Sequence, residues 1–246
     1  MLWGSAPELI GPRHIYRLGR MVSWLTDAVP RGHILDAGCG AGGLTELLAL
    51  HGYRVTAVDG SDEFVEHVRA RMARAGLSNR VDVCRVDLEC DELPAEAFDG
   101  VVCGEVLEHL ANDVAAVGSI ARALKPGGAL VLTVPAGADR YTWVDEWAGH
   151  ARRYEEPALR GLVQGAGLEI RAMVRWGFPF MMLYERYLQE RGLAHVANGS
   201  SSATAVARLA RSSVVSGALR ALFTLDRLFE GHSVRGTGFL LRAVKP

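Results

Sequence analysis

Gly38, Gly40 and Gly43 occupy the fixed places of a G-x-G-x-x-G run (Gly38-Cys39-Gly40-Ala41-Gly42-Gly43). Glycines at this spacing let a backbone turn come close to a ligand. They also leave the N–H groups of a following helix free to face it. Two carboxylates flank the run. Asp59 lies 21 residues after Gly38, where a carboxylate can accept hydrogen bonds from both hydroxyls of a ribose. Asp36 lies two residues before Gly38. A pyrophosphate-binding turn keeps that place apolar, because a carboxylate would face the phosphates. A carboxylate suits a cationic ligand instead. The plainer reading is that Asp36 caps the next helix.

A second set of reactive side chains falls in Trp143 to Tyr154, the run Trp-Val-Asp-Glu-Trp-Ala-Gly-His-Ala-Arg-Arg-Tyr. His150 is the candidate general base, with Asp145 or Glu146 as its orienting carboxylate. The competing reading is that His150 and Arg153 only tie this loop to the helix that follows. His109 is a further catalytic candidate, and the spacing puts Glu105 and His109 one turn apart on a helix face. His14, with Arg13 and Arg17 nearby, either closes the site from the N-terminal helix or lies plainly at the surface, and the surface reading is preferred. Nine of the 18 aromatic residues lie between 141 and 187. Trp143, Trp147, Tyr154, Phe178, Phe180 and Tyr184, with Arg153, are expected to line an apolar pocket for a small-molecule acceptor.

These residues need elements to hold them. Apolar residues Ile15, Leu18, Val22, Leu25 and Val29 predict a helix over 15–29, ended by Pro30 and Gly32. Short buried strands are expected at Ile34–Ala37, Arg54–Val58, Val81–Val86, Phe98–Cys103, Ala129–Val134, Leu168–Arg175 and Phe239–Val244. Helices are expected from Leu44, over 62–75 behind a Ser61 cap, over 113–124, and after Pro157. Such alternation predicts a parallel sheet with helices on both faces. Residues 177–236 separate the last two strands by more than an ordinary connection. Within them 203–230 reads as helical. Val214, Val215, Ala218, Ala221, Leu222, Leu225, Leu228 and Phe229 share one side, with Arg220 and Arg227 opposite.

Composition bounds the rest. The 246 residues carry 27 Lys+Arg against 28 Asp+Glu and are 49% apolar. One domain with a sizeable core is expected, and a disordered chain is excluded. Residues 1–150 hold 13 basic against 21 acidic residues, a balance of −8; residues 151–246 hold 14 against 7, a balance of +7. Only Lys125 and Lys245 among the basic residues are not Arg. The near-neutral total gives nucleic acid nothing to attract it. Cys39, Cys84, Cys90 and Cys103 form no Cys-x-x-Cys pair, so neither a disulfide framework nor a metal site is expected. No apolar run is long enough to cross a membrane, and the first residues do not read as a signal peptide, so a cytoplasmic protein is expected.

A nicotinamide cofactor and S-adenosylmethionine both fit the glycine run and Asp59. S-adenosylmethionine carries a sulfonium, an ammonium and no phosphate, which favours it at Asp36. Four segments then match one family in order and spacing. Ile34 to Thr45 (ILDAGCGAGGLT) resembles the first motif of class I S-adenosylmethionine-dependent methyltransferases. Val58-Asp59-Gly60-Ser61 resembles their ribose-binding acidic turn. Phe98 to Leu110 (FDGVVCGEVLEHL) resembles the segment after the fourth strand in small-molecule methyltransferases of types 11 and 12. Leu124 to Val131 (LKPGGALV) resembles the turn into the fifth strand. A Gly-His-x-Arg-Arg-Tyr run such as 149–154 is similar to a subset of these enzymes.

The resemblance implies a Rossmann-like, doubly wound α/β sheet of seven strands with an antiparallel last strand. It implies that Asp36, Gly38, Cys39 and Gly40 line the methionine end of the cofactor and that Asp59 takes the ribose. Asp87 would take the adenine amino group beside Leu88. Cys103, Gly104 and Glu105 would lie at the sulfonium end. Gly60 departs from the pattern, which often has a bulky apolar residue there. The division expected within one domain is a helical cap at 1–32, a cofactor-binding core at 33–135 and an acceptor-side segment at 136–176. A helical insertion at 177–236 and the last strand at 237–246 complete it. The activity expected is methyl transfer to a small apolar or aromatic, natural-product or lipid-like acceptor. The alternatives are an NAD(P)-binding oxidoreductase and a non-catalytic S-adenosylmethionine-binding protein. The 203–230 helix is expected to form a lid or a homodimer contact, with a peripheral membrane contact as the other use.

Overall fold

The computed structural model describes residues 11–188, 213–231 and 235–246. Helix α1 (Pro12–Ala28) leads into strand β1 (His33–Ala37) and α2 (Gly43–Leu50). β2 (Arg54–Asp59), α3 (Asp62–Arg74), β3 (Val81–Arg85) and β4 (Phe98–Gly104) follow. α4 (Asp113–Ala123) runs directly into the long β5 (Leu124–Pro135). Then come α5 (Trp143–Ala148), α6 (Glu156–Gly165) and β6 (Glu169–Trp176). α7 (Phe180–Leu188), α8 (Ser213–Leu225) and β7 (Gly238–Val244) complete the described chain.

The seven strands form one sheet in the order β3-β2-β1-β4-β5-β7-β6. β7 runs antiparallel to both its neighbours, and the other pairs are parallel. The seven-strand doubly wound sheet with its antiparallel final strand is therefore present. Successive residues of each central strand face opposite sides of a sheet. Leu35, Val101, Leu130 and Leu241 join one buried layer, with α4 and α6 residues such as Ile120 and Leu159. Ile34, Val102, Val131 and Leu240 join the other, with α1 and α2 residues such as Met21 and Leu48. This double burial is why the strands read as unbroken apolar runs.

Two elements differ from expectation. α1 begins at Pro12, not at 15, because proline's fixed φ suits the first turn of a helix. β5 begins at Leu124 with no intervening turn: Phe98 pairs with Leu124 and Gly100 with Ala129, so Lys125–Gly128 bulges out of the ladder. The helical stripe after 213 also docks differently. The buried side of α8 and the turn after it carries Phe223 and Asp226, while Leu222, Leu225, Leu228 and Phe229 are exposed. The Asp226 carboxylate accepts from the backbone N–H groups of Phe180 and Met181, 2.9 and 3.0 Å, at the start of α7. A helix start has unpaired N–H groups that need such an acceptor, and this sets which side of α8 faces in. Val214 and the expected helical stretch 203–212 lie outside the described side chains.

Candidate active site

The chain leaves β1, goes out to β2 and β3, and returns to β4 on the other side of β1. Open α/β sheets bind ligands at the carboxyl ends of strands beside such a switch. The glycine run sits there. Gly38 N and Cys39 N both donate to Val58 O, 2.9 and 2.8 Å, which folds the turn back onto the end of β2. Gly40 N donates to Asp59 Oδ2 at 2.9 Å, and Ser61 N donates to Asp59 Oδ1 at 3.0 Å. Gly38 and Gly40 have φ of 77° and 49°, a region costly for any residue with a Cβ. At Gly38 a Cβ would lie 2.4 Å from Val106 Cγ2, whereas at Gly40 it would meet nothing within 4 Å among the described residues. The turn is thus tight on one side and open on the other.

Asp36 is buried beneath this turn, and Thr45 Oγ1 donates to its Oδ2 at 2.6 Å. Burial raises its carboxyl to about 7, with the Thr45 hydrogen bond acting the other way. Asp87 stands after β3 and accepts from Glu89 N at 2.9 Å, with Leu88 buried behind it. Gly60 is exposed at the end of β2. Cys39 and Cys103 are buried free thiols, pushed well above the ordinary thiol value by burial.

Beyond Gly104, Glu105 takes a left-handed φ of 59°. The expected helix face is absent: only Leu107–His109 form a single 3₁₀ turn. Glu105 instead turns toward α1, where Arg17 Nη1 lies 3.1 Å and Arg13 Nη2 3.3 Å from its Oε2. Arg17 is buried, which lowers its guanidinium to about 9. Burial and then three arginines lower His14 to about 3. Of the two readings of His14 and its neighbours, the plain surface one does not fit, since Arg17 is buried and His14 half-buried where α1 meets Glu105. Their partner lies far away in sequence, and only the docking of α1 across the strand ends brings it near.

The acceptor-side segment forms a loop that leaves the end of β5 and returns to it. Tyr154 N donates to Pro135 O at 3.0 Å and Gly137 N donates to Tyr154 O at 2.9 Å. Asp145 is buried at the third position of α5 and closes a capping box with Thr142. Its Oδ1 receives both His150 Nδ1 and Arg153 Nε, each at 2.8 Å. Those donors outweigh burial and hold its carboxyl well below the usual range. A carboxylate only accepts, so His150 carries a proton on Nδ1, and in the neutral ring Nε2 is then the free lone pair. Glu146 is exposed, so the structure brings Asp145 and not Glu146 to His150. His109 packs edge-on against His150 with ring centres 4.8 Å apart, and its Nδ1 lies 3.2 Å from Gly149 O. Burial, and after it the neighbouring His150, lowers the His109 imidazole.

The aromatic residues separate. Tyr154 is buried in the core and its hydroxyl donates to Asp113 Oδ2 at 2.7 Å. Trp143 is exposed and Trp147 half-buried on α5. Phe178 meets Phe229 edge-on, and Tyr184 meets Phe223. Phe180 packs against the α1 side of the core. Glu108 did not figure among the expected residues. It is fully buried, and neither carboxylate oxygen has a hydrogen-bond partner among the described residues. Burial raises it to about 7, against the influence of Arg17, Arg13 and Arg153. Its backbone carbonyl accepts from Ala151 N at 2.7 Å, which ties it to the loop that carries His150. Its place in a Glu-His dipeptide beside the end of β4 is the signal that would have found it.

Residues 35–132 match the methyltransferase domain family. Over 106 residues the chain is 38% identical to a ubiquinone biosynthesis O-methyltransferase of Xanthomonas campestris, covering 43% of this chain and 44% of that protein. The chain thus spans less than half the length of that relative. Among solved structures, the [4+2]-cyclase SpnF superposes with a TM-score of 0.65 at 22% identity, covering 100% of this chain and 86% of that one. A geranyl diphosphate C-methyltransferase from Streptomyces coelicolor superposes with a TM-score of 0.65 at 15% identity, covering 94% and 80%. At these identities the two structures speak to the fold alone, which is the Rossmann-like one read from the sequence.

Proposed function

We propose, from the match of residues 35–132 to the methyltransferase domain family, that the chain transfers a methyl group from S-adenosylmethionine to a small apolar or aromatic acceptor. The observation that carries this is the glycine turn held between Asp36 and Asp59, open at Gly40 and faced by buried charge of both signs. S-adenosylmethionine is a zwitterion with a sulfonium and a ribose diol, and these donors and acceptors fit it. The buried Asp36 carboxylate beneath the turn fits a pyrophosphate poorly. The named relative with its O-methyltransferase activity supports an oxygen nucleophile.

In this reading Asp59 takes the ribose hydroxyls, with Gly60, Asp87 and Leu88 on the adenine side. Asp36, Gly38, Cys39 and Gly40 border the methionine end, and Cys103, Gly104 and Glu105 the sulfonium end. Arg13 and Arg17 supply the positive charge for the cofactor's carboxylate. When bound, the cofactor supplies a carbon already activated by positive sulfur, so the protein mainly aligns the nucleophile and excludes water. His150 Nε2 takes the proton of an acceptor hydroxyl, and Asp145 fixes the tautomer that leaves this nitrogen bare. Trp143, Trp147, Arg153, Phe178, Phe180 and Tyr184 belong to the acceptor side. Tyr154 supports them from the core. The exposed apolar side of α8 serves as a contact surface, for a second copy or for a membrane surface. No helix among the described residues is long and apolar enough to cross a membrane. A cytoplasmic location and the five-part division of one domain belong to the same reading.

Calorimetry with S-adenosylmethionine and with NAD tests the cofactor: tight binding of the first and none of the second is expected. The reverse result would make the chain an oxidoreductase. Labelled methyl transfer to a panel of phenols and prenylated phenols tests the acceptor, with sugars as the class expected to fail. Cofactor binding without transfer to any acceptor would leave a binding protein. His150→Ala should lower kcat by about 10²–10⁴-fold. A kcat near wild type across about pH 6–9 would remove the base role. Sedimentation of the chain with and without liposomes separates the two uses of α8.

A further inference from the structure

Glu108, His109 and His150 come together from two segments of the chain. One carboxylate oxygen and one ring nitrogen from each histidine all lie within 4.8 Å of one another. No sequence spacing marks this set, because Ala151 N must first hydrogen-bond to Glu108 O, 2.7 Å, to pin the 149–151 loop onto the 3₁₀ turn.

We infer that Glu108, His109 and His150 form a binding site for a divalent transition-metal ion of the zinc type. Three observations carry this. First, each histidine has its Nδ1 committed to an oxygen acceptor: His150 to Asp145 at 2.8 Å and His109 to Gly149 O at 3.2 Å. In the neutral rings the Nε2 atoms are then the lone pairs available to a metal ion. This is the arrangement in which a carboxylate or a carbonyl orients a ligating histidine and makes it more basic. Second, Glu108 is fully buried and both its oxygens lack hydrogen-bond partners among the described residues. A buried carboxylate without partners is costly; Arg17 pairs with Glu105 and Arg153 with Asp145, and although Arg17 Nε is left over, it makes no hydrogen bond to Glu108. Third, the two imidazoles meet edge-on, ring centres 4.8 Å apart, without a hydrogen bond between them.

Two imidazoles and one carboxylate are a donor set that suits zinc and its neighbours better than magnesium or calcium. Donor atoms around a tetrahedral ion with bonds of about 2.0–2.1 Å lie about 3.4 Å apart. The present 4.8 Å limit therefore leaves a closure of about 1.4 Å at most. Three protein donors leave a fourth position for water or for an oxygen of a bound molecule. The site goes beyond methyl transfer, since metal binding needs neither cofactor nor acceptor. Ligation uses the nitrogen of His150 that proton transfer would use, so in any one molecule the two roles exclude each other.

The test titrates the full chain, stripped with a chelator, with Co²⁺ and then Zn²⁺, without cofactor or acceptor. One equivalent of Co²⁺ should bind with the visible absorption of a four-coordinate site, and Zn²⁺ should displace it. Glu108→Gln and His109→Ala should abolish that absorption, and Asp145→Asn should weaken binding about 10–100-fold by releasing His150. Thermal melts of the same samples show whether each variant is folded. Absence of stoichiometric Co²⁺ or Zn²⁺ binding by the wild-type chain would overturn the inference, as would equal binding by folded Glu108→Gln. S-adenosylmethionine binding, measured separately, fails or succeeds independently of this result.

Discussion

Arg17 on α1 and Glu105 just past β4 meet at 3.1 Å with both side chains largely withdrawn from solvent. A buried ion pair adds little net stability over a well-packed apolar pair, but removing one partner strands the other charge. Arg17→Ala and Glu105→Ala should therefore each destabilise the fold by about 3–5 kcal/mol. The double variant should lose clearly less than the sum. Denaturant titration of the four proteins gives the coupling. Strict additivity would mean that the two charges do not depend on each other. Arg17→Ala should also weaken S-adenosylmethionine binding.

Asp36 should make stability depend on pH in an unusual direction. Its carboxyl is raised by burial to about 7, so the folded chain holds this proton more tightly than the unfolded one. The stability it contributes is full below about pH 4, the unfolded value. It is lost as pH rises toward about 7 and is flat above that. Asp36→Asn should flatten this part of the profile in thermal melts followed across pH. A cationic ligand wants the ionised form, so S-adenosylmethionine affinity should fall as pH drops below about 7 and Asp36→Asn should remove that fall. An affinity independent of pH in the wild type would separate Asp36 from the ligand.

Gly38 and Gly40 should separate stability from binding. Alanine at Gly38 puts a Cβ 2.4 Å from Val106 at a left-handed φ, which combines overpacking of about 1–3 kcal/mol with a conformational cost of about 1–2 kcal/mol. Alanine at Gly40 meets nothing within 4 Å among the described residues and should cost only the conformational part, about 1–2 kcal/mol. Its methyl group would nevertheless occupy the open side of the turn. Gly40→Ala should therefore melt only slightly below wild type yet lose most of its S-adenosylmethionine binding. Melts and calorimetry on both variants decide it, and undiminished binding by Gly40→Ala would place the ligand elsewhere.

What could be read from the sequence was local. The strands read over 34–37, 54–58 and 98–103 and the glycine turn are fixed by neighbours along the chain, and doubly buried strands advertise themselves as apolar runs. The Arg17–Glu105 pair was not legible, because three basic residues on an amphipathic helix look solvated until the helix is docked. Glu108 was hidden for the same reason: its burial depends on the loop at 149–151 closing over it. α8 shows a third limit. Periodicity finds an apolar stripe at Leu222, Leu225 and Leu228, but the docked side is chosen by Phe223 and Asp226, whose partners lie on α1 and α7.

α8 and the turn that follows it are fastened to α1 at two points. Phe223 rests edge-on against Tyr16, and Glu230 forms two hydrogen bonds with Arg20. One turn and two turns earlier on the same helix stand Arg17 and Arg13. The exposed Leu222 and Leu225 thus stand on a helix that is tied, through α1, to the same rigid element that carries both guanidinium groups.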